Sequence, residues 1–141
     1  MGKIYTAICK NCNRLYNYDV GIGMAYSKNI LLDLNNEFNI LKLYKEKNRK
    51  EELINILKNK NYELKEGYGE KMCICDTCGK IYSRFIFKII YEDDKEFFPT
   101  YKCHDCRKKL RTLKEDEILN LNYKCTYCNK KITFFESGSW D

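Results

Sequence analysis

Four Cys-x2-Cys pairs dominate the chemistry open to this chain: Cys9/Cys12, Cys75/Cys78, Cys103/Cys106 and Cys125/Cys128. A turn of this spacing brings two sulfurs to about 2.3 Å from one metal ion, and two turns complete a tetrahedron. Eight thiols in four pairs therefore predict two ions, with zinc the expected metal. Asn13, Gly79 and Asn129 follow the second cysteine of their pairs, and these residue types suit the left-handed backbone such knuckles require. Arg107 breaks that pattern, which suggests that the third pair opens a helix. Catalytic zinc keeps one position open beside His or carboxylate ligands, whereas paired cysteines close both sites. With a single histidine and no Ser/His/Asp or phosphate-loop pattern, the chain is expected not to be an enzyme.

Two pairing schemes fit the spacing. The 18 residues between Cys106 and Cys125 suit a zinc ribbon, which leaves Cys9/Cys12 with Cys75/Cys78. That is the expected scheme. In the rival, Cys75/Cys78 joins Cys103/Cys106 across 24 residues in a treble-clef-like site with Arg107–Leu113 as its helix. Either way metal replaces part of a small core, at roughly 10–16 kcal/mol per structural site. Cys73 is the odd thiol, on the same strand face as Cys75; it reads as a spare thiol or as an alternative ligand on oxidation. His104 reads as an exposed turn residue.

The chain has 141 residues, nine of them cysteine, with 26 basic and 20 acidic residues and a formal charge of +6. Such cysteine density marks a disulfide scaffold or a metal site. Met1–Lys10 has no apolar leader-like run and no segment matches a membrane span, so a cytoplasmic location with reduced thiols is expected. Met1-Gly2-Lys3-Ile4-Tyr5-Thr6 fits a loose myristoylation pattern but reads more simply as a first strand. Lysine outnumbers arginine by 21 to five, the bias of an AT-rich genome. Eight thiolates and two Zn2+ bring the loaded protein from +6 to +2, so global charge says little about partners.

The elements that must position the pairs follow from periodicity. Lys3–Ile8 and Leu15–Val20 form a hairpin around the first pair, and Gly21-Ile22-Gly23-Met24 breaks the strand pattern. Leu31, Leu34, Phe38 and Leu41 predict one helix with Ser27 as N-cap. Asn48 and Glu51 form a capping box for a second helix carrying Leu53, Ile54, Ile56 and Leu57. Lys58–Gly69 reads as a polar return loop, Glu70–Cys75 and Lys80–Tyr91 as strands, and Glu92–Lys95 as an acidic turn. Phe97–Lys102 leads into the third pair, Lys108–Asn120 is either strand or short helix, and residues 137–141 form a polar tail.

These elements predict a small, metal-stabilised α+β fold: two zinc-ribbon-like β-hairpin modules, with a helical insertion (about residues 25–65) in the first. The expected boundaries are 1–98 for the first module and 99–141 for the second ribbon and tail. The four pairs, the Gly21–Met24 element, the insertion and the terminal Trp140-Asp141 together resemble a group of small, uncharacterised bacterial zinc-ribbon proteins. The sequence departs from that group in lacking a proline inside the knuckles, in Arg107 and in Cys73, and the resemblance implies architecture alone. Cys75–Tyr82 also resembles a rubredoxin knuckle, which makes iron the competing metal.

A macromolecular binding module is the expected function. Arg107, Lys108, Lys109 and Arg111, with Lys124, Lys130 and Lys131 and the aromatic Tyr123 and Tyr127, suit single-stranded nucleic acid. The same cations would equally offset the charge of a zinc–tetrathiolate centre. A protein partner, slightly favoured, would use Trp140 and exposed tyrosines. Two alternatives stand beside this: a mobile-element or phage-encoded inhibitor of a host defence nuclease, and a thiol redox switch that releases zinc.

Overall fold

Alternating apolar residues set the first hairpin. The computed structural model describes residues 2–22, 26–44, 46–47, 49–59 and 61–140. β1 (Gly2–Ile8) and β2 (Leu15–Gly21) pair antiparallel from Gly2↔Gly21 to Ile8↔Leu15, which puts the first cysteine pair at the hairpin tip. The Gly21–Met24 element lies partly outside the described residues.

The single helix predicted over Leu31–Leu41 is two short ones, α1 (Lys28–Leu32) and α2 (Ile40–Leu43). Polar side chains between them compete for the backbone: Asp33 Oδ1 accepts the Asn35 N–H, and Asn36 Oδ1 accepts the Phe38 N–H. Such local bonds favour turns over helix, so Leu34 and Phe38 stay exposed. Ser27 sits at the N-cap of α1 without a side-chain bond, whereas Asn39 caps α2 through the Lys42 N–H. α3 (Lys50–Lys58) buries Leu53, Ile56 and Leu57. Asn48, the expected capping residue, lies outside the described residues. The N-cap is Arg49 in left-handed backbone, and its guanidinium lies over the Phe97 ring and donates to the Phe98 carbonyl.

β3 (Tyr62–Leu64), β4 (Gly69–Ile74), β5 (Ile81–Ile86), β6 (Ile89–Tyr91) and β7 (Lys95–Phe97) follow. The acidic turn is as expected, with Glu92, Asp93 and Asp94 all at positive φ. The ambiguous stretch after the third pair contains both element types, β8 (Arg111–Thr112) and α4 (Glu115–Ile118). β9 (Tyr123–Lys124) and β10 (Lys131–Ile132) bracket the fourth pair.

The expected polar tail is instead β11 (Phe135–Trp140), paired with β1 from Gly2↔Trp140 to Thr6↔Phe135. The strand is polar because it is an edge with an exposed face, so its pattern mimics a loop. Trp140 lies across Gly2, where any Cβ would overlap the indole.

The main sheet runs β11-β1-β2-β4-β5, with β8 also on β4. It joins strands from both ends of the chain, on either side of residue 98. Two hydrophobic cores fill the protein. One gathers Leu31, Ile40, Tyr44, Leu53, Phe85, Phe87 and Phe97 under the helices and reaches Cys75 and Cys103. The other gathers Tyr5, Val20, Met72, Ile118, Tyr123 and Phe134 and reaches Cys9 and Cys125. β4 supplies both, through Cys73 and Met72 on its opposite faces. No helix among the described residues is long and apolar enough to cross a membrane.

Candidate metal centres

Each Cys-x2-Cys pair folds into the same turn. The first cysteine's N–H donates to the carbonyl five residues on, and its own carbonyl accepts the N–H four residues on. The bonds are Cys9 with Arg14 and Asn13, Cys75 with Lys80 and Gly79, Cys103 with Lys108 and Arg107, and Cys125 with Lys130 and Asn129. The residue after the second cysteine is left-handed in all four: Asn13 at φ 62°, Gly79 at 76°, Arg107 at 63° and Asn129 at 64°. Arg107 therefore completes the pattern it was expected to break. No helix spans Arg107–Leu113; Lys109 instead bridges back to Lys102, and the next helix is α4. The two bonds closing the turn outweigh the roughly 1–2 kcal/mol that left-handed backbone costs a non-glycine residue.

The knuckles assemble into two groups of four thiols, Cys9/Cys12/Cys125/Cys128 and Cys75/Cys78/Cys103/Cys106, with all sulfurs of a group within 4.8 Å of one another. This overturns the expected pairing of Cys9/Cys12 with Cys75/Cys78. The first group, centre 1, joins the outermost knuckles; the second, centre 2, joins the inner ones. Gap length misleads here because β1, β2 and β11 share one sheet, which delivers the first and last knuckles to the same edge. Sulfur separations between knuckles are 3.4 and 3.6 Å in centre 1 and 3.1 and 3.5 Å in centre 2. Tetrahedral metal–sulfur bonds of about 2.3 Å would give edges of about 3.8 Å, so both cages fit one metal ion. All nine cysteines are free thiols.

A tyrosine braces each centre. The Tyr16 hydroxyl lies 3.1 Å from Cys125 Sγ and accepts the Thr126 N–H at 3.2 Å. The Tyr82 hydroxyl lies 3.3 Å from Cys103 Sγ and accepts the His104 N–H at 3.2 Å. Each reaches from the strand after one knuckle to the first cysteine of the other. In the metal-free site, the Tyr16 hydroxyl and the Cys128 and Tyr127 N–H groups outweigh burial and lower Cys125 to about 6. Burial opposes ionisation of Cys103, but the Cys106 N–H and the Tyr82 hydroxyl lower it to about 6. Cys12 goes the other way: the Arg14 N–H lowers it, but burial and the other three sulfurs push it up to about 12. Cys78 behaves as Cys12 does: the Lys80 N–H lowers it, but burial and the sulfurs of Cys103 and Cys75 push it up to about 12, so in each cage a metal must displace protons as it binds.

Cys73 belongs to neither group. It is buried, 3.8 Å from the Thr112 hydroxyl. His104 is exposed, its ring against Tyr82 and 3.4 Å from an Arg84 nitrogen. Arg107, Lys108 and Lys109 are exposed on the third knuckle. Arg111 is held by Asp76 at 3.1 Å and Glu117 at 3.0 Å. Lys124, Lys130 and Lys131 are exposed on the fourth knuckle, Tyr123 is buried and Tyr127 is exposed. Trp140 packs on Gly2 and edge-on to Tyr26, with Nε1 buried and without a partner among the described residues.

The bracing tyrosines were not singled out from sequence, yet a signal for them exists. Ile8-Cys9-x2-Cys12-x-Arg14-Leu15-Tyr16 repeats as Ile74-Cys75-x2-Cys78-x-Lys80-Ile81-Tyr82. Tyr101-Lys102-Cys103-x2-Cys106-x-Lys108-Lys109-Leu110 repeats as Tyr123-Lys124-Cys125-x2-Cys128-x-Lys130-Lys131-Ile132. Each centre takes one knuckle of each type. The leading tyrosine of the second type is also used alike: Tyr101 donates to the Phe85 carbonyl and Tyr123 to the Ile118 carbonyl. The chain matches no family model, and no curated protein or solved structure is significantly similar to it.

Proposed function

We propose that this is a non-enzymatic protein held together by two structural zinc ions, whose metal-bearing end is a binding module for another macromolecule. The observation that carries the reading is the closed donor set: all eight paired cysteines are used, four to a cage. A tetrahedral ion with four thiolates has no position for substrate or activated water, which separates structural from catalytic zinc. Each cage ends one hydrophobic core, so the ion does the work of further buried side chains. Zinc is favoured over iron because the role is mechanical and needs no electron transfer. Elemental analysis of protein purified without added metal is expected to give two zinc ions per chain, with no disulfides by mass. Iron in their place, or a metal content near zero, would overturn the reading.

A further inference from the structure

The basic residues concentrate at the metal-bearing end. Segments 9–14, 75–80, 102–111 and 124–131 hold eleven of the 26 basic residues and two of the 20 acidic ones. The rest of the chain has fifteen basic and eighteen acidic residues, a formal −3. Two zinc–tetrathiolate centres contribute −4, which leaves the metal-bearing end at +5. Neutralising the centres therefore accounts for fewer than half of its nine surplus cations.

Ion pairing does not account for the rest. Lys80 pairs with Asp105 and Arg111 with Asp76 and Glu117, which occupies both local aspartates. Lys102, Lys108 and Lys109 on one knuckle and their counterparts Lys124, Lys130 and Lys131 on the other are exposed. None of the six ammonium groups has a carboxylate within 4.0 Å among the described residues, although the Lys102 backbone N–H donates to Glu46 at 3.3 Å. The same lysine triad thus stands on two rigid knuckles. Between the centres runs a cleft of about 610 Å³, lined by Lys80, Lys124, Thr126, Tyr127 and Asn129, and by Asp76, whose carboxylate is paired with Arg111. Tyr127 is 75% exposed, and the Arg14 guanidinium is stacked on its ring at 5.1 Å. An exposed ring beside unpaired lysines offers a stacking platform and phosphate contacts together. The elements that adjoin the two lysine triads are the two-residue strands β8, β9 and β10 and the four-residue α4, too short to enter a duplex groove as a reading helix.

Building on the proposed binding role, we infer that the metal-bearing end binds single-stranded nucleic acid. The lysine triads contact the phosphates and Tyr127 stacks on a base. Trp140, the anchor a protein partner would use, is half-buried and already packed against Gly2 and Tyr26.

The test is fluorescence anisotropy of the zinc-loaded full chain with labelled oligo-dT, oligo-U and a duplex of equal length. With six phosphate contacts, one for each lysine of the two triads, single strands are expected to bind about 300-fold more weakly at about 200 mM than at about 50 mM salt. The two strands show whether the ribose 2′-hydroxyl is read. Lys108→Ala/Lys109→Ala/Lys130→Ala/Lys131→Ala should reduce the slope of log affinity against log salt by about 2.8, or about 0.7 per contact. Tyr127→Ala should weaken binding about tenfold with the slope unchanged. Tighter binding to duplex, or single-strand binding indifferent to these substitutions, would overturn the inference. Zinc is measured on the same samples. A chain with two ions that ignores both strands, as a protein-binding module would, overturns this inference alone; a chain without them overturns the reading beneath it.

Discussion

Replacing Cys125 with serine discriminates most sharply between the nested arrangement of the centres and a sequential one. A structural four-cysteine site contributes roughly 10–16 kcal/mol, and losing one ligand forfeits on the order of 3–8 kcal/mol. The loss falls on centre 1, whose two knuckles are 112 residues apart, against 24 for centre 2. Closing the longer loop costs about 1.4 kcal/mol more in chain entropy, so centre 1 has the smaller margin. Whole small domains are stable by only about 5–15 kcal/mol, and the core beside Cys125 cannot absorb such a loss. The other core has its own centre, and β4 is the strand the two cores share, with Met72 in the first and Cys73 in the other. β2 meets β4 at one register pair, Gly21↔Glu70, supported by the Tyr18 bond to Ile81 and the Ser83 bond to Asp19. Native mass spectrometry of Cys125→Ser should show one ion per chain. Hydrogen exchange should show protection lost over residues 2–21 and 123–140 and kept over 69–86 and 101–110. Loss at 103–108 with 9–14 still protected would refute the nested pairing.

Two further substitutions probe the surroundings of the cages. Tyr16→Phe and Tyr82→Phe each remove a bond to a charged sulfur worth about 1.5–3 kcal/mol. Zinc transfer to a chelator should accelerate at the matching centre by roughly tenfold or more, to a similar degree in both variants; an effect at one centre only would contradict the shared bracing role. Cys73→Ser should keep both ions, since Cys73 Sγ lies against Thr112 outside the cages; loss of an ion would make it a ligand.

The cysteine pairs were legible because metal ligation leaves a local spacing, and the first hairpin because alternation is local too. Two failures had local causes that were also readable. The Asp33 and Asn36 side chains outcompete the helix that Leu34 and Phe38 imply, and Arg107 adopts left-handed backbone because the knuckle bonds enforce it. The pairing is different in kind. It depends on β11 joining β1, a contact between opposite ends of the chain carried by the weakly patterned residues Ser137, Gly138 and Ser139. The internal repeat sorts the knuckles into two types, and the structure joins one of each type at every centre, which rules out Cys9/Cys12 with Cys75/Cys78. Nested and alternating pairings both satisfy it, and only the sheet decides between them.

The nesting has a consequence for how the protein is made. At about 5–20 residues per second, the ribosome delivers Cys125 about 6–23 s after Cys12. Cys75 and Cys78 emerge about midway through that interval, so the nascent chain offers the first knuckle an incorrect mate before the correct one. A zinc ion captured early by Cys9, Cys12, Cys75 and Cys78 would form a cage braced by neither tyrosine, since the sulfurs that Tyr16 and Tyr82 contact belong to Cys125 and Cys103. Cys103 and Cys106 arrive next and complete the inner cage. Biosynthesis thus favours filling from the inside outward, with the thiols of Cys9 and Cys12 left waiting until the fourth knuckle emerges.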